Sequence, residues 1–176
     1  QMEILPNPML KIDSTKDTHN TIQKVENQYV AFYTKSDIFS NFYECKFDIG
    51  GVTYDSTEQY LFSEKALHVG DEENSERIKR NKEARICKAI GEKDVKWIET
   101  LAEWRDFALE KLKIANLAKY SQNMKLRKFL FETNPKTLVE ANPFDSYWGI
   151  GLKKSDRDVY DITKWNNIGF LLMGVY

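Results

Sequence analysis

The sequence STEQYLFSEKAL, residues Ser56–Leu67, has the pattern of a helix with a defined start. Ser56 is a favourable N-cap, and Gln59 stands where the side chain of a capping box reaches back to the cap. Glu58 and Lys65 recur at helical spacing, so a carboxylate and an amine share one face. With a rise of ~1.5 Å per residue they lie about 10 Å apart along the axis, too far for an ion pair. That separation is about the span of a bound sugar or nucleotide fragment.

The chain before this helix predicts a small β-element. Lys46–Ile49 and Val52–Asp55 form a hairpin pattern, and Gly50-Gly51 between them supplies the positive φ angles that its turn needs. Tyr29–Tyr33 is rich in aromatic and β-branched residues, which is typical of a strand. Residues 1–28 show no sustained periodicity, and we interpret them as an N-terminal tail or strap. Residues 29–176 then form one domain.

The chain after this helix is predicted to be mainly helical. Gly70-Asp71 ends the first helix, and Gly91 is a C-cap for a second helix over residues 75–90. The strongest apolar stripe runs from Trp97 to Ala115, either as one helix or with a break near Thr100. Further predictions are a helix over 124–133 with Leu126, Phe129 and Leu130 inward, a short strand or extended piece at 137–140, a loop at 142–151 and a buried apolar helix over 166–173. The predicted fold class is therefore α+β, predominantly helical, a single compact domain with a small β-element packed on a helical core.

Composition and charge bound the class of protein. The chain has 176 residues, of which 41% are hydrophobic and 30% charged, the mix of a soluble globular domain. The formal charge of -1 argues against a surface that grips nucleic acid throughout. The outer side of the predicted second helix is nevertheless basic. It is either a solvated charged face or an attractor for phosphate.

Several classes of site and segment have no support in the sequence. Cys45 and Cys87 form no CxxC pattern, which favours reduced thiols over a disulfide. His19 and His68 lie in no cluster with zinc-ligand spacing, so we expect no metal. There is no signal-peptide core and no run of ~18 apolar residues, and a cytoplasmic location follows as the expectation. The motifs of phosphate-binding loops, dinucleotide-binding folds and serine hydrolases are also absent from the sequence.

The remaining inventory of carboxylates, lysines, aromatic rings and side-chain amides suits chemistry on sugars. Carboxylates stabilise an oxocarbenium-like transition state or move its proton. A lysine attacks an opened sugar aldehyde as a Schiff base, and aromatic faces stack on bases. Each candidate also has a structural interpretation: Glu58 favours the helix dipole, Lys65 is a solvated lysine, Asp145 and Asn41 are turn residues, Trp148 is core, and Gly149 gives the loop conformational freedom.

Several segments occur in an order that resembles the NADAR family, also called YbiA-like. The markers are Phe32-Tyr33, Phe39–Phe42, the glycine hairpin, Ser56–Tyr60 with Lys65, Trp104, Lys119-Tyr120 with Gln122-Asn123, Thr133, Leu138–Glu140, Asp145-x-x-Trp148-Gly149-x-Gly151, Asn166-x-x-Gly169 and Leu171–Met173. The resemblance covers roughly residues 32–173. It implies a compact, mainly helical fold with a small β-element and N-glycosidase activity.

The resemblance also implies two substrate classes. One is ADP-ribose attached to guanine, in nucleic acid or nucleotides, from which the enzyme removes the modification. The other is the ribosylamino-pyrimidine intermediates of riboflavin biosynthesis. A non-catalytic module that binds ADP-ribose or NAD is a third hypothesis. We expect no cofactor, no metal and no membrane, and no protein partner can be inferred.

Roles for individual residues follow from the same resemblance. The catalytic candidates are Glu58 for proton transfer or oxocarbenium stabilisation, Lys65 as covalent or electrostatic partner of ribose C1, and Asp145 for ribose hydroxyls or water. The substrate-binding candidates are Asn41, Phe42, Lys88, Trp148, Gly149 and Asn166. This chain departs from the family at Glu92, where many members carry arginine. Phosphate binding would then fall to Lys88 or Arg85.

Overall fold

The computed structural model describes residues 28–145, 147–161 and 164–165. Its elements in chain order are β1 (Tyr29–Phe32), β2 (Phe47–Ile49), β3 (Val52–Tyr54), α1 (Thr57–His68), α2 (Glu72–Lys79), α3 (Ala84–Lys93), α4 (Leu101–Gln122), α5 (Met124–Glu132) and β4 (Thr137–Glu140). The predicted class, a predominantly helical α+β fold with small β-elements, is confirmed. The chain divides into two compact units: Gln1–Phe32 with Thr133–Gly174, and Tyr33–Glu132 with Val175–Tyr176.

The first unit contains the parallel pair β1 and β4. Tyr29 is opposite Thr137 and Phe32 is opposite Glu140. The pairing continues one step further, since the Ala141 amide donates to the Phe32 carbonyl at 2.7 Å. The strand at Tyr29–Tyr33 was predicted, and residues 137–140 were predicted as a strand or an extended piece. The structure shows the strand and its parallel pairing with β1.

The second unit begins its regular structure with the antiparallel hairpin of β2 and β3. Phe47 is opposite Tyr54, and the turn glycines Gly50 and Gly51 have φ of 58° and 80°. The hairpin and its glycine turn are confirmed. The hairpin packs on α4, where Gln122 exchanges two hydrogen bonds with the backbone of Asp48, at 2.7 and 2.8 Å. Side chains from the hairpin, α1 and α4 form one apolar cluster, made of Phe47, Tyr54, Tyr60, Ala115 and Ala118.

Helix α1 lies against α2, α3 and α4, and most of its side chains are buried. Ser56 caps it as predicted, accepting a hydrogen bond from the Gln59 amide at 3.1 Å. The second half of the predicted capping box is wrong. The Gln59 side chain accepts from the Asp55 amide at 2.6 Å and donates to three carbonyls at the end of α2, of which Asn81 is nearest at 2.7 Å. Carbonyls at the end of a helix lack the amides that would continue the ladder, and the Gln59 side chain supplies donors to them from α1.

The single helix predicted over residues 75–90 is two helices, α2 and α3. Asp71 caps α2 earlier than expected, accepting from the Asn74 amide at 3.0 Å. Between the helices, the Cys87 thiol donates to the Asn81 carbonyl at 3.2 Å. Asn81 also accepts from the Glu83 amide through its side chain, at 3.2 Å. Side-chain bonds to this backbone thus replace the helical ladder.

Gly91 is not a C-cap, because α3 continues to Lys93. A Cβ atom at this position would lie 2.1 Å from Cδ1 of Phe62 and 2.7 Å from its Cβ. The glycine therefore permits the close approach of α1 and α3.

Of the two alternatives for the apolar stripe, one helix or a break near Thr100, the structure shows the break. Thr100 and Glu103 form a complete capping box at the start of α4. The stripe is buried at Ala108, Leu112 and Ala115, but Leu101 is 61% exposed. In α5, Leu126 is buried as predicted, whereas Phe129 is 42% exposed and was wrongly predicted to point inward.

Two predicted segments, residues 1–27 of the tail and the helix over 166–173, lie outside the described residues. Within the described part of the chain, no helix is both long enough and apolar enough to cross a membrane.

Candidate functional site

Glu58 lies in the first turn of α1 and is 9% exposed. Its backbone amide donates to the carbonyl of Asn41 at 3.0 Å. The start of α1 is thereby joined to the loop that carries Asn41 and Phe42. The two predicted site segments meet at this hydrogen bond.

Lys65 lies two turns further along α1 and is 6% exposed. Its Nζ donates to the Gly91 carbonyl at 2.6 Å and lies 5.1 Å from the centre of the Trp104 ring. Burial lowers the pKa of Lys65, and the charge of Glu92 partly raises it again. A lysine with a lowered pKa supplies neutral amine closer to neutral pH, as nucleophilic attack on a sugar carbon requires.

The loop before the hairpin is held by α4. Asn116 donates through Nδ2 to Oδ1 of Asn41 at 3.1 Å and to the Leu112 carbonyl at 2.9 Å. Lys119, fully buried, donates through Nζ to the carbonyls of Ile38 at 2.6 Å and Ser40 at 3.1 Å. Burial lowers the pKa of Lys119 to about 8.

No role was predicted for Asn116 from the sequence, and Lys119 was named only as a marker of the family resemblance. A signal was present, because Lys119 continues the buried stripe of Leu112 and Ala115 at helical spacing. A lysine on the apolar face of a helix indicates an internal partner, since an unpaired buried charge is costly.

Lys88 and Phe42 are also in contact. Lys88 Nζ lies 5.6 Å from the centre of the Phe42 ring and 3.8 Å from a carboxylate oxygen of Glu92. Glu92 is thus the acidic neighbour of both Lys65 and Lys88. Contacts therefore join Asn41 to Glu58, Lys65 to Gly91, and Lys88 to both Glu92 and Phe42, and Glu58 and Lys65 lie on the same helix.

The basic face of α2 and α3 is partly neutralised. Arg77 pairs with Asp94 at 2.7 Å and Lys79 with Glu76 at 3.1 Å. A groove of about 290 Å³ lies beside the first pair and is also lined by Arg85 and Lys93. These ion pairs agree with the solvated-face interpretation, although the groove retains an excess of positive charge.

The remaining described candidates belong to the loop at 142–151 in the first unit. Asp145 accepts through Oδ1 from the amides of Tyr147 and Trp148, at 2.8 and 2.9 Å. This is the turn geometry that the structural interpretation of Asp145 predicted. Gly149 is needed sterically, because a Cβ there would lie 2.6 Å from Cβ of Asn142. Trp148 is half-buried and packs edge-on against Tyr147, with ring centres 4.6 Å apart.

Asn166, the last candidate, lies outside the described residues. Across the described ranges, no three His, Cys, Asp or Glu side chains are grouped so that they could hold a metal ion.

The chain is similar to several known proteins. It is 34% identical over 157 residues to protein irg-1 of Caenorhabditis elegans, covering 81% of this chain and 74% of that one. It is 34% identical over 125 residues to N-glycosidase R617 of Acanthamoeba polyphaga mimivirus, covering 69% and 72%. A more distant relative, riboflavin biosynthesis protein VVA0006 of Vibrio vulnificus, is 25% identical over 154 residues, 86% of this chain and 38% of that protein.

A solved structure and a family model also match this chain. The NMR structure of the Escherichia coli protein YbiA matches with a TM-score of 0.64 and 28% identity, over 85% of this chain and 83% of that one. The family model of the NADAR domain matches residues 29–176. That range includes all the elements described above, and this chain therefore belongs to the NADAR family.

Proposed function

We propose that this protein is a hydrolase that cleaves an N-glycosidic bond to ribose. The observation that supports this most is the buried amine of Lys65, which donates to the Gly91 carbonyl at 2.6 Å. Lys65 lies on the same helix, α1, as Glu58. A lysine and a carboxylate are the two groups that sugar chemistry at C1 uses for attack and for proton transfer. Two relatives add support, because R617 and YbiA are named N-glycosidases.

In the covalent route, Nζ of neutral Lys65 forms a bond to C1 of ribose while the bond from C1 to the base nitrogen breaks. Glu58 gives its proton to the departing nitrogen, and opening of the ribose ring produces a protonated Schiff base. Water then adds to the C1=N bond, which releases the sugar with a hydroxyl at C1. The proton set free on release returns to Glu58, and the lysine recovers its amine. In the electrostatic alternative, Glu58 stabilises the oxocarbenium ion and water attacks C1 directly, with Lys65 beside it.

The substrate that we propose is ADP-ribosylated guanine in nucleic acid or nucleotides, which makes the protein an ADP-ribosyl glycohydrolase. The family resemblance supports this choice. Asp145 would act on ribose hydroxyls or water, and Asn41, Phe42, Trp148, Gly149 and Asn166 would contact ribose or base. Lys88 would meet phosphate, and Glu92 beside it competes for the same positive charge.

The test is release of ADP-ribose from ADP-ribosylated guanine DNA, RNA and nucleotide. Glu58→Gln and Lys65→Ala should each lower kcat by about 10²-fold or more, the usual loss for a general acid or nucleophile. Glu64→Gln and Lys111→Ala are matched controls on α1 and α4, because these two residues pair with each other at 3.4 Å. Release that survives both site substitutions would refute the residue assignments.

Borohydride separates the covalent from the electrostatic route. Reduction during turnover should attach the sugar to Lys65, and mass spectrometry of the adduct identifies both the residue and the sugar. An enzyme that stays active and unlabelled under these conditions uses the electrostatic route.

An alternative substrate is a ribosylamino-pyrimidine intermediate of riboflavin biosynthesis. The observation that favours it is the Vibrio vulnificus relative, which is named a riboflavin biosynthesis protein. Turnover of the two substrates under equal conditions decides between them. A non-catalytic ADP-ribose or NAD module would instead show tight calorimetric binding without product in a long incubation.

A further inference from the structure

We propose that Asn116 and Lys119 are positioning residues, which hold Asn41 so that its side chain presents an N–H donor to the substrate. The inference rests on the proposed function, since that function is what makes Asn41 a substrate contact. It goes further by assigning roles to two residues of α4 and by restricting what Asn41 can recognise.

The orientation of the Asn41 amide follows from its neighbours. One side-chain atom of Asn116 lies 2.9 Å from the Leu112 carbonyl, and a carbonyl only accepts, so that atom is the NH₂ nitrogen. The same nitrogen lies 3.1 Å from a side-chain atom of Asn41. That atom must therefore be the Asn41 oxygen. A flipped Asn116 would set two oxygens against each other at the Leu112 carbonyl.

This arrangement leaves one polar atom of Asn116 without a hydrogen bond in the part of the chain that the structure describes. Its Oδ1 is buried and has no hydrogen-bond partner among the described residues. An unsatisfied buried acceptor costs about 1–3 kcal/mol, so the bonds that Nδ2 makes are the ones the fold retains. With its oxygen used by Asn116, Asn41 has its NH₂ group left for a ligand.

Lys119 fixes the backbone on which Asn41 stands. Its ammonium binds the carbonyls of Ile38 and Ser40, and the hydroxyl of Tyr120 also donates to Ile38, at 3.3 Å. The next carbonyl, that of Asn41, accepts from the amide of Glu58. The loop is thus tied at residues 38, 40 and 41. These bonds hold the backbone at Asn41 in place, and the position of its side-chain amide depends on that backbone.

The substrate atom that meets the NH₂ group of Asn41 must then be a hydrogen-bond acceptor. A ribose ring oxygen, a hydroxyl acting as acceptor and a carbonyl oxygen of the base all qualify. An amino or imino N–H of the base does not. The NH₂ group of Asn41 therefore selects acceptors, and an N–H of the base would have to share the oxygen that Asn116 already uses.

The test compares Asn41→Ala with Asn41→Asp by kcat/KM on ADP-ribosylated guanosine nucleotide. A carboxylate still accepts from Asn116 but cannot donate. Both variants should therefore lose about 10-fold or more, with aspartate no better than alanine. Thermal unfolding checks that the variants are folded. An aspartate variant that retains activity within about twofold of wild type, or clearly exceeds alanine, overturns the proposal.

The positioning roles are tested with Asn116→Leu and Lys119→Met, each combined with Asn41→Ala. If α4 orients Asn41, each double variant should lose little more kcat/KM than the Asn41→Ala single variant. The hydrogen bond from Asn41 to the substrate is already absent in that background. A merely structural role predicts independent, multiplicative losses, and that result overturns the positioning role. Lys113→Met is the matched control on α4 and should behave additively.

Failure of the proposed function is distinguishable from failure of this inference. If wild type releases no product from any ribosylated substrate, the proposed function fails. The same variants are then compared by calorimetric binding of ADP-ribose. Loss in both Asn41 variants supports the inference, and absence of wild-type binding overturns it.

Discussion

At the scale of single residues, burial and the charge of Glu92 act in opposite directions on the pKa of Lys65, the proposed nucleophile. Burial lowers the pKa of Lys65, and the negative charge of Glu92 stabilises the ammonium form and raises that pKa. Glu92→Gln should therefore shift the rise of kcat/KM with pH to lower pH, because neutral amine appears earlier. The measurement is a pH profile of wild type and variant.

Glu99→Gln is the control, since Glu99 is half-exposed and pairs with His68 at 3.1 Å. Its profile should match that of wild type. A Glu92→Gln profile that moves to higher pH, or does not move while Lys65→Ala is inactive, would contradict the assignment.

Residues whose roles were predictable from the sequence have hydrogen-bond partners nearby in the chain, whereas those that were not have distant partners. Ser56 and Thr100 were predictable, because a helix cap is a local hydrogen bond over three residues. Asn116 was not, because its partner Asn41 lies 75 positions away in sequence. The role of Gln59 was mistaken for the same reason: its amide serves carbonyls about 20 positions away rather than the local cap.

At the scale of elements, the contact of α1 with α3 depends on Gly91. Ala is a better helix former than Gly by about 1 kcal/mol, so propensity alone would favour Gly91→Ala. The new Cβ would instead overlap Phe62, whose ring and Cβ are both too close to move aside cheaply. We expect a net loss of about 1–3 kcal/mol in the free energy of unfolding, measured by urea denaturation.

A double-mutant cycle identifies the cause of that loss. In a Phe62→Ala background the overlap with the ring is gone and only the Cβ atom, 2.7 Å away, remains, so the loss from Gly91→Ala should become smaller. Lys93→Ala, exposed on the same helix, should change stability by no more than about 0.5 kcal/mol. Equal losses from Gly91→Ala in both backgrounds would show that the Phe62 contact is not responsible.

The helix and strand boundaries were also predictable where local sequence sets them and not where distant residues do. The hairpin and α1 were predictable, since glycines, an N-cap and short-range periodicity define them. The break between α2 and α3 was not, because the side chains of Gln59 and Cys87 satisfy its backbone carbonyls from other elements. The parallel pairing of β1 with β4 joins strands more than 100 residues apart, which no local pattern encodes.

At the scale of the whole molecule, charge limits the phosphate contacts open to the proposed nucleic-acid substrate. The formal charge is -1, and several basic residues of α2 and α3 already pair with acids. Few phosphates can then be neutralised when the substrate is a polynucleotide. Each phosphate contact on a single strand contributes about -0.7 to the slope of log affinity against log salt.

We therefore expect kcat/KM on an ADP-ribosylated oligonucleotide to fall with a slope of about -1 to -3 between 50 and 200 mM salt. Arg85→Ala, in the groove beside α3, should reduce the slope by about 0.7, while Lys125→Ala on α5 leaves it unchanged. The modified nucleotide offers fewer phosphates and should show a shallower slope. A slope steeper than about -5 on the oligonucleotide would require an extended phosphate-binding surface. That result would contradict recognition through the modified base and its sugar alone.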